Sequence, residues 1–126
     1  MQEIIDRVAT AAGIDPETAA KAIGIILGFL QKQGPAEEVG QLMGAMPGSA
    51  DLAEAHGGDA GGGGGLMGML GGGGLMALAG QLTGIGLGMG EMQSVGKELF
   101  QVGRERAGED TVGAIAGSIP GLSQFT

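Results

Sequence analysis

The chain has 126 residues, enough for about one domain with a modest core. It contains 30 glycines and three phenylalanines but no tyrosine, tryptophan or cysteine, which excludes disulfides and thiolate metal sites and argues against stacking on bases. The net charge of −8 argues against a nucleic-acid partner, because phosphate groups are bound by surfaces rich in lysine and arginine.

The first half of the chain predicts an all-α arrangement. Gly13 ends the first amphipathic helix, and Asp15-Pro16-Glu17 marks the start of a second, with Asp as N-cap and Pro at the first helical position. The centre of this second helix, residues 22–30, is apolar all round, which predicts a buried central helix. The predicted helices of this half are residues 2–12, 16–33 and 35–46, and a short stretch from Ser49 through His56.

The second half follows a similar plan after a glycine-rich segment. Residues 57–74 hold two glycine runs around Leu66-Met67-Gly68-Met69-Leu70, a composition typical of a linker. Gly108 ends a long helix, and the acidic pair Glu109-Asp110 begins the next, where the helix dipole favours negative charge. The predicted helices of this half are residues 75–83, 89–107 and 110–118.

The two halves also share a sequence pattern. Val39-Gly40, Gly44 and Pro47-Gly48 recur 73 residues later as Val112-Gly113, Gly117 and Pro120-Gly121. An internal repeat predicts a repeated structural unit. We therefore expect residues 1–126 to form one all-α domain of two pseudo-repeated three-helix units, unit one (2–56) and unit two (75–126), joined by the linker 57–74. The predicted core consists of Ile23, Ile26, Leu27 and Leu30 packed against Leu99, Phe100 and Val102.

Small residues recur at intervals of four in three places. These sets are Gly40, Gly44 and Gly48; Gly113, Gly117 and Gly121; and Ala20, Gly24 and Gly28. Residues four apart share a helix face, so each set predicts a smooth strip on which another backbone can approach closely. Packing within the domain is the expected use of these strips; an interface with a second copy or another protein is the alternative.

Two further segments have a functional interpretation beside a structural one. The uncharged stretch 60–90 is long enough to cross a bilayer, but half of it is glycine and no basic residues flank it, which favours a linker followed by a soluble helix. Asp51, Glu54, His56 and Asp59 could bind a divalent metal, but the end of a solvated helix is the expected interpretation. We expect no metal site and no cofactor.

The eight methionines and the nucleotide-like motifs do not indicate an enzyme. Met43/Met46 and Met89/Met92 have a spacing typical of core positions or of an adaptable interface, more than of copper binding. The segment from Gly90 to Gly96-Lys97-Glu98 has one residue too many for a phosphate-binding loop, and Glu98 stands where Ser or Thr would hold the metal. We expect a protein that is not an enzyme.

The sequence resembles known families in its turn and capping motifs. Gly13-Ile14-Asp15-Pro16-Glu17, Gly34-Pro35-Ala36-Glu37-Glu38-Val39 and Met46-Pro47-Gly48 look like small bacterial two-unit helical domains of unknown function, and the glycine-leucine-methionine middle is similar to the YidB-like family. The resemblance covers about residues 4–52 and 77–125. It implies a helical fold and brings no activity, cofactor or catalytic residue.

These observations favour a small acidic interaction or scaffold protein that binds another protein or a second copy of itself. The predicted interface is apolar and rich in methionine: Leu66, Met67, Met69, Leu70 and Met76. The alternative is a membrane-associated protein that uses the stretch 60–90, and a third interpretation is a metal-binding protein. The N-terminus lacks the basic region of a secretory signal, so we expect the protein in the cytoplasm.

Overall fold

The computed structural model of the protein describes residues 2–57 and 75–119, and the regular structure in these ranges is helical throughout. The all-α prediction is confirmed, and the predicted helix boundaries are correct to within one residue. The helices are α1 (Gln2–Ala12), α2 (Pro16–Gln33), α3 (Ala36–Ala45), α4 (Ser49–Leu52), α5 (Leu75–Gly84), α6 (Met89–Ala107) and α7 (Glu109–Ser118), with a π-helical turn (Ala53–Gly57) after α4.

The two long helices begin in different ways. Pro16 is the first residue of α2 and Asp15 precedes it in an extended conformation, but the Asp15 side chain makes no capping hydrogen bond, contrary to the prediction. At α6 the preceding residue, Gly88, has no side chain that could cap. Instead its N–H donates to the Glu91 carboxylate at 2.8 Å. This backward hydrogen bond is one half of a capping box, and it satisfies a donor at the helix start.

The turns that follow α1 and α5 have the same geometry. Gly13 has a φ of +71° and Gly86 a φ of +96°, values that glycine adopts without steric penalty. Ile14 N–H donates to the Ala9 carbonyl at 3.0 Å, and a bond of 3.2 Å joins the equivalent groups, Leu87 N–H and the Leu82 carbonyl. Each turn therefore ends one helix and leads into a long helix that begins three residues after its glycine.

Helix α2 lies at the centre of the fold. All residues from Ala22 to Leu30 are buried, which confirms the predicted central helix. It packs against α1, α3, α4, the π-helical turn, α5 and α6. The residues predicted for the core are all buried: Ile23, Ile26, Leu27, Leu30, Leu99, Phe100 and Val102.

Helices α3, α6 and α7 pack against one another beside this core. They approach one another closely at Gly103 of α6, where a Cβ atom would lie 2.8 Å from Leu42 Cδ1 and 3.1 Å from Val112 Cγ2. Such distances are shorter than packed side chains tolerate, so the missing side chain of Gly103 allows α6 to contact both helices. This contact holds α3 and α7 as neighbours at the surface.

Candidate interaction surface

The neighbouring helices α3 and α7 each turn two glycines towards solvent. Gly40 and Gly44 of α3 and Gly113 and Gly117 of α7 are exposed. A Cβ atom built on any of the four would meet nothing within 4 Å beyond its own chain neighbours and helix backbone. We call these two pairs the glycine stripes. They are smooth strips of helix backbone that the described part of the chain leaves uncovered.

The buried sides of the two helices explain why the stripes face outwards. The inward-facing residues have the same spacing on both helices: Val39, Leu42 and Met46 on the α3 segment and Val112, Ile115 and Ile119 on the α7 segment, all buried. Residues three to four apart share one helix face, so the glycines between these positions lie on another face. A hydrogen bond of 3.2 Å from Thr111 Oγ1 to Gln41 Oε1 joins the two helices beside the stripes.

The expectation that the small-residue strips pack within the domain is wrong for the glycines of α3 and α7 and correct for those of α2. Gly40, Gly44, Gly113 and Gly117 were expected to pack within the domain, yet a methyl group would fit at each of them. On α2, by contrast, Gly24 and Gly28 are buried, and the π-helical turn and α4 pack against that helix. The difference arises because a segment of the chain covers α2, whereas the outer faces of α3 and α7 carry no such cover in the ranges described.

Carboxylates lie at one end of each stripe-bearing helix. Glu37 and Glu38 occupy the first turn of α3, and Glu109 and Asp110 occupy the first turn of α7. Negative charge at a helix N-terminus interacts favourably with the helix dipole. The same four residues add negative charge next to the glycine stripes, so the electrostatics of this surface favour a positively charged neighbour.

A separate charged cluster joins α1 to α6. Arg7 Nη2 donates to Glu105 Oε2 at 2.7 Å, Arg7 Nη1 donates to Glu105 Oε1 at 3.2 Å, and Arg7 Nε donates to Glu98 Oε1. The hydrogen bonds from Arg7 hold the pKa of Glu105 below its ordinary value, and the bonds to Glu105 and then Glu98 raise the pKa of Arg7. The hydrogen bonds therefore stabilise the charged forms of Arg7 and Glu105, and the cluster connects α1 to α6.

The predicted apolar interface lies mostly beyond what the structure describes. Leu66, Met67, Met69 and Leu70 fall outside the described residues. Met76 belongs to α5, but its side chain is also outside the described part. The prediction for this surface is therefore untested.

The two methionine pairs divide between core and surface. Met46 and Met92 are buried, Met43 is half-buried and accepts a hydrogen bond from Gln31 Nε2 at 3.1 Å, and Met89 is 70% exposed. The core interpretation therefore holds for Met46 and Met92, and Met43 also packs against the core from its half-buried position. Of these four methionines, Met89 is the exposed one.

The acidic cluster near the linker is only partly described. Asp51 and Glu54 are exposed on α4 and the π-helical turn, whereas Asp59 and the side chain of His56 lie outside the described part. Within residues 2–57 and 75–119, no three side chains of His, Cys, Asp or Glu come together in a way that could hold a metal ion. Among the helices described, none has the length and apolar character needed to cross a membrane.

The sequence and the fold were compared with known proteins. No family model, curated protein or solved structure matches the chain. The function of this chain is therefore inferred from its surface.

Proposed function

We propose that this chain is a non-enzymatic, acidic protein-interaction or scaffold protein, and that the glycine stripes are a surface on which a helix of a partner or of a second copy docks. The supporting observation is that these glycines are exposed with room for a Cβ atom. Glycine in a helix interior costs about 1 kcal/mol relative to alanine. Because nothing in the described chain requires glycine at these positions, the close approach of another molecule would explain them.

A docked helix would gain contact with the backbone of α3 and α7. Without a Cβ atom at Gly40, Gly44, Gly113 and Gly117, the backbone of a second helix can come closer than side chains would otherwise allow. The first-turn carboxylates of α3 and α7 favour lysine or arginine on the partner next to the contact, which would increase specificity and the rate of association.

The methionine-rich segment is a second part of this proposal. Leu66, Met67, Met69, Leu70 and Met76 would form an adaptable apolar contact, because unbranched thioether side chains fit surfaces of different shape. This segment follows the π-helical turn and leads into α5. Both surfaces would serve the same scaffold role.

We also propose that the chain consists of two equivalent units, residues 2–56 and 75–126, joined by the linker 57–74. The helices support this organisation: adding 73 to the limits of α3 reproduces those of α7, and adding 73 to the first residues of α1 and α2 gives those of α5 and α6. Two of the positive-φ glycines, Gly13 and Gly86, also correspond. The buried pairs Ile5/Leu78, Ala9/Leu82, Ala22/Val95, Ile26/Leu99, Leu27/Phe100, Val39/Val112, Leu42/Ile115 and Met46/Ile119 share the same offset.

Light scattering after size-exclusion chromatography, without detergent, tests the proposed surface. The test variant carries Gly40→Gln and Gly113→Gln, because glutamine favours helix and the monomer has space at both positions. The control carries Gly80→Gln, which is also exposed with open space but lies on α5. If the native chain is an oligomer, the test variant should become a monomer while the control keeps its mass.

If the native chain is a monomer, the same proteins serve as bait for a binding partner, together with a variant carrying Met67→Glu and Met69→Glu. Loss of a bound protein in the glycine variant, with retention in the Gly80→Gln control, supports the glycine stripes. Equal binding by the native chain, the glycine variant and the methionine variant would refute both surfaces. A chain that sediments with membranes and needs detergent would instead favour membrane association.

A further inference from the structure

The two proposed units contact each other in a reciprocal way. Helix α1 of unit one packs on α6, the long helix of unit two, and α5 of unit two packs on α2, the long helix of unit one. Helices α3 and α7, which correspond to each other, are also in contact. The first helix of each unit therefore lies on the long helix of the other.

This reciprocal arrangement makes the core a shared one. The buried residues of α1 are Ile4, Ile5, Val8 and Ala9, and α1 packs on both α2 and α6. The connection from Arg7 to Glu98 and Glu105 also joins unit one to unit two. A single unit of this size would leave much of its apolar surface exposed, because repeated units bury their hydrophobic faces against each other.

We infer that this chain also forms a dimer in which two copies exchange units, so that unit one of each chain packs on unit two of the other. This inference depends on the proposed two-unit organisation and is independent of the glycine stripes. The exchanged dimer has the same helix contacts as the monomer, and the two forms differ only in which unit two each unit one is joined to along the chain. Exchange of identical elements is a low-cost route to dimers for this reason.

Concentration decides between the two forms. Modules linked within one chain typically meet at an effective concentration in the millimolar range, so we expect the monomer to predominate in dilute solution. Refolding at a chain concentration of about 1 mM populates the exchanged dimer. The exchanged dimer separates slowly, because its dissociation requires the shared core to open. It carries two copies of each glycine stripe, as a bivalent scaffold would require.

A charge-reversal experiment on full-length chains tests the exchange. One chain carries Arg7→Glu, and the other carries Glu98→Arg with Glu105→Arg. Within either chain alone, α1 and α6 then bear like charges where the native chain has its ion pairs. In an exchanged heterodimer, each α1 meets an α6 of opposite charge. A control chain with all three substitutions restores the pairing within one chain and should fold like the native protein.

The two chains are unfolded, mixed at equal concentration and refolded together at about 1 mM. We expect a heterodimer of twice the 12.3 kDa chain mass, several-fold more abundant than either homodimer and with a higher Tm than either chain alone. A mixture that contains only two monomers, or homodimers and heterodimers in statistical proportion, would overturn the exchange. A dimer formed through the glycine stripes would give that statistical result, which distinguishes the two proposals.

Thiol cross-linking gives a second measurement, since the native chain has no cysteine. A chain with Arg7→Cys is refolded with a chain that carries Glu105→Cys, and the mixture is treated with a bis-maleimide whose spacer matches the reach of the Arg7–Glu105 ion pair. A cross-link between the two chains is the expected product, and a control with both cysteines in one chain should form an internal cross-link. Formation of the internal cross-link without the mixed one would overturn the proposal.

Discussion

The same substitution, glycine to alanine, should change the stability of this protein in opposite directions at two helix positions. Gly40 lies in the interior of α3 and Gly103 in the interior of α6. Alanine improves the intrinsic helix propensity by about 1 kcal/mol at either place. At Gly40 nothing lies within 4 Å of the new Cβ atom, so the whole gain should appear in the free energy of unfolding.

At Gly103 the new methyl group would lie 2.8 Å from Leu42 Cδ1 and 3.1 Å from Val112 Cγ2. Both side chains are buried, and valine is stiff about χ1, so neither can move away freely. Overpacking of this kind costs about 1–3 kcal/mol, which exceeds the propensity gain and leaves a net loss of about 1 kcal/mol.

Thermal and urea denaturation, both followed by far-ultraviolet circular dichroism, measure the two changes, because the chain has no tryptophan or tyrosine as a fluorescent probe. We expect Gly40→Ala to raise the Tm by about 4 °C and Gly103→Ala to lower it by a similar amount. Gly113→Ala, at the equivalent position of α7, should behave like Gly40→Ala. A Gly103→Ala variant as stable as Gly40→Ala would refute the close approach of α6 to α3 and α7.

Three further predictions follow from the described contacts. Arg7→Gln should lower the Tm at neutral pH and low salt, and the difference from the native chain should shrink as salt screens the charges. The Tm difference should also shrink as the pH falls through the lowered pKa of Glu105, because a carboxylate whose pKa is depressed by folding stabilises the folded state only while it is ionised. A Tm difference that does not change with pH would contradict this prediction. Gly34→Ala should destabilise the chain more than Gly103→Ala does. The new Cβ atom at position 34 would lie 2.7 Å from the Leu30 carbonyl oxygen, a backbone atom that cannot rotate away. A urea midpoint equal to that of the native chain would contradict this prediction. Among the described methionines, peroxide should oxidise Met89 first, because its side chain is 70% exposed. Peptide mass mapping measures the order of oxidation. Earlier oxidation of the buried methionines would show that the core is more open than described.

The orientation of the glycine stripes was only partly predictable from the sequence. The four-residue glycine spacing indicated smooth strips, but the expectation that they pack inside the domain was wrong for α3 and α7. A signal for the outward orientation was present: Val39 and Leu42, and equally Val112 and Ile115, form an apolar face from which the glycines are displaced. The four-residue spacing of Ala20, Gly24 and Gly28 on α2 gave no signal of orientation, because the centre of that helix is apolar on every face.

The helices and their limits follow from the local amino-acid sequence. Helix boundaries depend on residues close to them in the chain, such as Pro16 at the start of α2 and the positive-φ glycines at the turns, and these local preferences act whatever the rest of the fold does. Helix packing, by contrast, sets which glycines are buried, where a missing side chain permits contact, and the pairing of Arg7 with a carboxylate 98 residues away. These features depend on which helices pack together, and many sequence patterns are compatible with more than one packing partner.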